Sequence, residues 1–194
     1  MPYRKHAIQI ISHLLFVGLV TILSAQTARA QQFVFDKSHT YIGFSIDHHG
    51  YAKTIGRFGA YEGQAVIDFN QPEASSIQVE IEAASLDTGW PARDNHLRGR
   101  GFLNTAEHPI ISFVSDRIDQ IDDRTADVAG RLTMTGQTHE VTMRVVLNKI
   151  ASDQNKVGFS ATFTIERSRW GVSRHSPAVG EEVAVVIETE MVAR

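Results

Sequence analysis

SIQVEIEA, residues Ser76 to Ala83, sets Ile77, Val79, Ile81 and Ala83 against Gln78, Glu80 and Glu82. Successive side chains on an extended backbone point to opposite sides, so a period of two with one apolar and one charged face predicts a half-buried strand. The same alternation recurs in both directions. Upstream, Ile42, Phe44 and Ile46 alternate with Gly43, Ser45 and Asp47, and Ala65, Ile67 and Phe69 with Gln64, Val66 and Asp68. Downstream come Ile111 and Phe113, then Val128, Gly130, Leu132 and Met134, then Val141, Met143, Val145 and Leu147. Phe159, Ala161, Phe163 and Ile165 form a further strand, and Val183, Val185 and Ile187 the last. With short starts at Phe33 to Asp36 and Ile55 to Tyr61, the pattern predicts about eight to ten strands and almost no helix.

Most connections are short. Asp122-Asp123-Arg124 is turn-forming, and Thr135-Gly136-Gln137 reads as a hairpin loop with Gly where positive φ is needed. The exception lies within SLDTGWPARDNHLRGRGFLNTAEHPIISF, Ser85 to Phe113, a charged, His-bearing connection of the length that usually covers a binding site. So many strands leave two exposed edges unless the sheet closes, which predicts a barrel. The inward set is aliphatic and Phe throughout, so any cavity is apolar. Composition alone leaves a solid core and a ligand cavity as alternatives, with inward Ala83 and Gly130 leaning toward an opening.

At the N-terminus Arg4 and Lys5 precede the nearly uncharged stretch Ala7 to Leu23, and Ala28-Arg29-Ala30 places small residues where signal peptidase reads. Residues 1–30 therefore read as a cleaved Sec-type signal, with a retained anchor as the alternative, and residues 31–194 as one periplasmic domain. Loss of Arg4, Lys5 and Arg29 takes the formal charge from −3 to −6, which argues against nucleic acid as a partner. The chain has no Cys, so it has neither a disulfide framework nor thiolate chemistry, and its stability rests on core packing and closed hydrogen bonding.

Ordered blocks carry a resemblance. They are FDKSHTYIGFSIDH (Phe35 to His48), IGRFGAYEGQAVIDF (Ile55 to Phe69), SIQVEIEAASLDTG (Ser76 to Gly89), RDNHLRGRGFL (Arg93 to Leu103), HPIISF (His108 to Phe113), GRLTMTGQTHEVTM (Gly130 to Met143) and GFSATFTIERSRWGV (Gly158 to Val172). Together the chain resembles the YceI-like family of exported polyisoprenoid-binding proteins. The resemblance implies an all-β fold, an extended eight-stranded antiparallel lipocalin-like barrel with a short helix in the Arg93 to Leu103 connection. It also implies an isoprenoid chain in the lumen, such as a polyprenyl phosphate, a ubiquinone tail or a similar long amphiphile, held for transport, storage or sequestration.

On that reading Phe44, Ile46, Ile67, Ile81, Phe113, Leu132, Met143 and Phe163 line the lumen. His39, Arg93, His96, Arg98, Arg100 and Phe102 are the candidates for the barrel mouth and head group. The arginines either meet an anionic head group or pair with Asp87, Asp94 and Glu107. Trp90 and Trp170 pack over the barrel ends, or Trp90 lies exposed against a membrane. No cofactor is expected beyond the lipid, and a homodimer and transient membrane contact complete the partners.

Metal and catalytic readings are weak. Adjacent His48 and His49 on a strand point to opposite faces, and no metal-ligand spacing appears, so no metal site is expected. Ser38 and His39 diverge on an extended segment, and Asp94 and His96, two apart, do not face each other. Without a nucleophile elbow or a Cys, the chain reads as a binding protein rather than an enzyme. The alternatives are an enzyme acting on such a lipid and a stress-related accessory partner of a cytochrome b561-type membrane redox protein.

Overall fold

The computed structural model describes residues 30–194, so the leader expected over residues 1–30 lies outside the described residues except for Ala30. Ten strands and one α-helix follow in chain order. They are β1 (Gln31–His48), β2 (Ala52–Phe58), β3 (Tyr61–Ile67), β4 (Ser76–Glu82), β5 (Leu86–Asp87), α1 (Pro91–Arg98), β6 (Ile110–Gln120), β7 (Thr125–Met134), β8 (Gln137–Ile150), β9 (Lys156–Glu166) and β10 (Val179–Ala193). All pairings are antiparallel, and β10 returns to β1 from Ile46↔Val183 to Phe33↔Ala193, which closes the sheet.

Ten strands make an eight-stranded barrel because two are broken. β2 pairs with the Ile42–His48 half of β1 and β3 with Gln31–Val34 on the same edge, so the two form one strand kinked at Gly59-Ala60. β5 likewise extends β4 and pairs with β2. The predicted all-β barrel with a short helix in the long connection is the fold observed.

Bulges keep apolar side chains inward along the longest strands. In β1, Phe35 pairs with Met191 and Thr40 with Thr189, so Glu190 alone faces the four residues from Asp36 to His39. That insertion shifts the inward phase from Phe33 and Phe35 to Ile42, Phe44 and Ile46. It also joins into one strand two segments that sequence periodicity separates. A shift at Ser115/Arg117 in β6 does the same between Phe113 and Ile118.

The β7–β8 turn is Thr135-Gly136, with φ of 51° and 76°. Positive φ at both central positions is the backbone of a type I′ hairpin, whose twist matches the strands it joins. Trp170, fully buried, roofs this end of the barrel, with its indole N–H donating to Leu132 O at 3.1 Å and its ring edge-on to His139 at 5.0 Å. A second buried cluster, Phe33, Ala65, Val157 and Met191, sits at the opposite end. The small inward residues do not open space as expected. A Cβ on Gly130 would meet the Phe113 ring at 2.6 Å, and Ala83 is packed in the core, so both accommodate neighbours.

Candidate functional site

Closure of the sheet encloses a cavity of about 880 Å³ that runs the length of the barrel. All eight side chains predicted to face the lumen, Phe44, Ile46, Ile67, Ile81, Phe113, Leu132, Met143 and Phe163, line it. Period-two alternation places them there, because every strand turns the same face inward once its bulges are counted. Ionisable side chains line the cavity only at its ends: His48, Arg93, His96, Arg167 and His175 at the α1 end, and Asp68, Asp122, Asp123 and Arg124 at the other. The barrel wall between them offers mainly hydrocarbon and aromatic surface, with a few hydroxyls such as that of Thr189 among it.

The α1 end is built by hydrogen bonding to backbone. Asp94, only 6% exposed, accepts from Thr88 N–H at 2.9 Å and Thr88 Oγ1 at 2.5 Å. The Thr88 hydroxyl, with the Thr88 amide and the neighbouring Arg98 and Arg93 charges, holds the Asp94 carboxyl below its ordinary range. Arg93 donates from Nε to Thr88 Oγ1 at 2.7 Å and from its guanidinium to Thr88 O at 2.8 Å, and its side chain still lines the cavity. Leu97, Phe102 and Leu103 point inward, as their alternation with charge predicts.

Three of the predicted mouth residues lie elsewhere. Arg98 donates to Ala84 O at 2.8 Å and Leu86 O at 2.5 Å, so it pins α1 to the strand before it. Arg100 pairs with Glu107 at 2.7 Å in solvent. His39 sits on the outside of the barrel in the β1 bulge. Arg93, His96 and Phe102 remain at the mouth, joined by His48 and His175. Sequence reasoning missed these two because β1 and the segment after β9 meet α1 only when the barrel closes.

Arg167 was also missed. Only 3% exposed, it donates to the carbonyls of Gly180 (2.7 Å), Val172 (2.6 Å), Arg174 (3.0 Å) and Val179 (3.0 Å). One planar guanidinium thereby satisfies the backbone of the loop that carries His175.

Two neighbouring pairs depart from the extended-strand expectation. His49 has φ of 58°, so its ring turns back to lie 4.6 Å from that of His48. In the bulge, Ser38 and His39 converge: Ser38 Oγ lies 2.6 Å from Asp36 Oδ1, and His39 Nδ1 lies 2.8 Å from Asp36 Oδ2 and 3.0 Å from Ser38 Oγ. A hydrolytic triad needs acid and nucleophile on different ring nitrogens, and here both meet Nδ1. Asp36, His39 and Glu190 each bring one ligand atom within 4.8 Å of the others, but Lys156 ion-pairs with Glu190 and lies 3.9 Å from Asp36. The chain's own ammonium thus compensates the negative charge there.

The family model of the YceI-like domain matches residues 33–191. The chain belongs to the YceI-like family. Its relatives include a UPF0312 protein of Pseudomonas savastanoi, 35% identical over 161 residues and covering 80% of this chain and 84% of that one. Another, from Azotobacter vinelandii, is 30% identical over 174 residues, covering 87% and 91%. Among solved structures, the Campylobacter jejuni YCEI protein has a TM-score of 0.70 at 27% identity, covering 82% of this chain and 95% of its own. BcnA of Burkholderia cenocepacia shares the fold at a TM-score of 0.75 and 22% identity, covering 80% and 98%. A polyisoprenoid binding domain from Saccharophagus degradans shares it at 0.67 and 12%, covering 84% and 98%. In this YceI-like domain, then, the wall of the barrel supplies the apolar surface, and the long connection with the β9–β10 loop supplies the polar end.

Proposed function

We propose that this YceI-like protein is a periplasmic carrier that holds an isoprenoid chain in its barrel and delivers or sequesters it. One observation carries the reading: a cavity of about 880 Å³ lined along the barrel by aliphatic and aromatic side chains, with ionisable groups at its ends alone. That volume suits a single slim ligand. A prenyl tail has no polar atoms to satisfy, and each buried CH₂ contributes about 0.8 kcal/mol. A solved relative of the same fold is described as a polyisoprenoid binding domain, which supports the ligand class.

Access from a membrane fits the exposed aromatics. Trp90, 64% exposed, lines the α1 end of the cavity, and Tyr51, 92% exposed, tips the β1–β2 hairpin at the same end. Amphipathic rings of this kind settle at bilayer interfaces. Native mass spectrometry of protein purified from the periplasm is the direct test. It should show Gln31 as the first residue and a long-chain lipid at one per protein. Protein recovered without lipid, and unable to take up a prenol in vitro, would refute the carrier reading.

A further inference from the structure

We infer that the α1 end of the tunnel is a proton-linked site for an anionic head group, formed by His96 and His175 with Arg93 beside them. The inference rests on reading the tunnel as a lipid site. His96 comes from α1 and His175 from the loop between β9 and β10, yet their rings stack with centroids 5.9 Å apart and planes at 26°. Phe102 packs against both, at 5.0 Å from His96 and 5.9 Å from His175. All three line the cavity, and both histidines are exposed, so the pair stands where apolar tunnel meets water.

Arg93 precedes His96 by one helical turn and shares its face, with its guanidinium oriented by Thr88. The carboxylates around this end are turned to other partners: Asp87 of β5 pairs with Arg57 at 3.4 Å, and the lining guanidinium of Arg167 is taken up by backbone carbonyls. On α1, Asp94 is turned to Thr88 and Arg98 to the Ala84 and Leu86 carbonyls. After the helix, Arg100 is paired with Glu107, and Arg174 of the β9–β10 loop lies beside Gly101. From β1, His48 lines the cavity, while Asp47 accepts from Gly50 N–H at 2.8 Å. The acidic lining residues, Asp68, Asp122 and Asp123, all belong to the opposite end.

Imidazoles change charge between about pH 5 and pH 8. An anion held between two rings 5.9 Å apart favours their charged form and offsets the repulsion between them. Protonation and anion binding are therefore linked, so affinity for an anionic head rises as pH falls and binding takes up protons. A neutral head gains nothing. The same charge distribution directs the ligand, with its head at α1 and its chain toward Asp68, Asp122 and Asp123.

The test compares geranylgeraniol with geranylgeranyl methyl phosphodiester, whose single charge is constant over this range. By isothermal titration the diester should bind about tenfold more tightly at about pH 5.5 than at about pH 8, and the alcohol equally at both. Repeating the titration in buffers of different ionisation heat should show proton uptake with the diester and none with the alcohol. The double variant His96→Gln, His175→Gln should bind both with a flat pH profile. A pH-independent diester affinity in the wild type, or an unchanged profile in the variant, would overturn this inference alone. Failure of the wild type to bind either probe would overturn the tunnel reading and this inference together.

Discussion

Single side chains whose partners are backbone atoms hold the polar end of this barrel together. Arg167 is the strongest case, because two carbonyls of the β9–β10 loop and two at the start of β10 depend on it. Arg167→Leu should destabilise by about 1–3 kcal/mol, since it leaves the buried Val172 carbonyl and three partly buried carbonyls without their donor. Urea unfolding measures this, and a loss under 1 kcal/mol would show that the loop finds other donors. Asp94 carries a pH dependence. Its carboxyl is held low by the Thr88 hydroxyl, so the folded-state value lies below the unfolded one, about 3.9. The stability it contributes is present above that unfolded value and is lost as pH falls through the lower folded value. Asp94→Asn should therefore lower the thermal midpoint at neutral pH and shrink the gap to the wild type near pH 2. An undiminished gap in acid would place the interaction elsewhere.

At the scale of elements, α1 is too short to be stable alone and is held by its side chains to the connection preceding it. Arg98 reaches back to Ala84 and Leu86, so it fixes the helix over the cavity rather than meeting a ligand. Arg98→Gln should lower stability and weaken prenol and prenyl phosphodiester binding alike. Selective loss of the diester would return Arg98 to the head-group site. The barrel strands allow a complementary test of the lumen. Val145 lines the cavity from β8 and is only partly buried. Val145→Trp should fill tunnel volume and reduce prenol uptake at least tenfold while far-ultraviolet circular dichroism stays unchanged; full uptake in a folded variant would move the site out of the barrel. Ala83 and Gly130 are poor places for that substitution, because their space belongs to core neighbours.

For the whole molecule, closure of β10 onto β1 is the decisive event, because it removes both sheet edges and creates the cavity at once. The bulge at Asp36 to His39 lies on that seam opposite Glu190. There the carboxyl of Asp36 is held low by hydrogen bonds from Ser38 and His39, so the seam, like α1, loses support in strong acid. The proposed membrane contact is tested at this scale too, since Tyr51 and Trp90 reach the α1 end from different elements. Replacing both with Ser should slow prenol transfer from vesicles severalfold at unchanged equilibrium affinity. Equal transfer rates would mean that the ligand is received through water.

The barrel wall was legible from sequence because it repeats: alternation at period two names the inward face of each strand without reference to any other strand, and all eight lumen residues followed from it. Among the described residues the one α-helix was legible only through the resemblance, since an eight-residue segment is too short for its periodicity to separate it from a loop. The polar end was legible only in part: the long connection named Arg93, His96 and Phe102, which line it. His48, Arg167 and His175 carry no local pattern that sets them apart from His39, Arg98 and Arg100, and their roles come from contacts made across the closed barrel. Local periodicity determines which way a strand faces. Only tertiary structure decides which distant side chains share an end, because that depends on register, bulges and closure summed over the whole sheet.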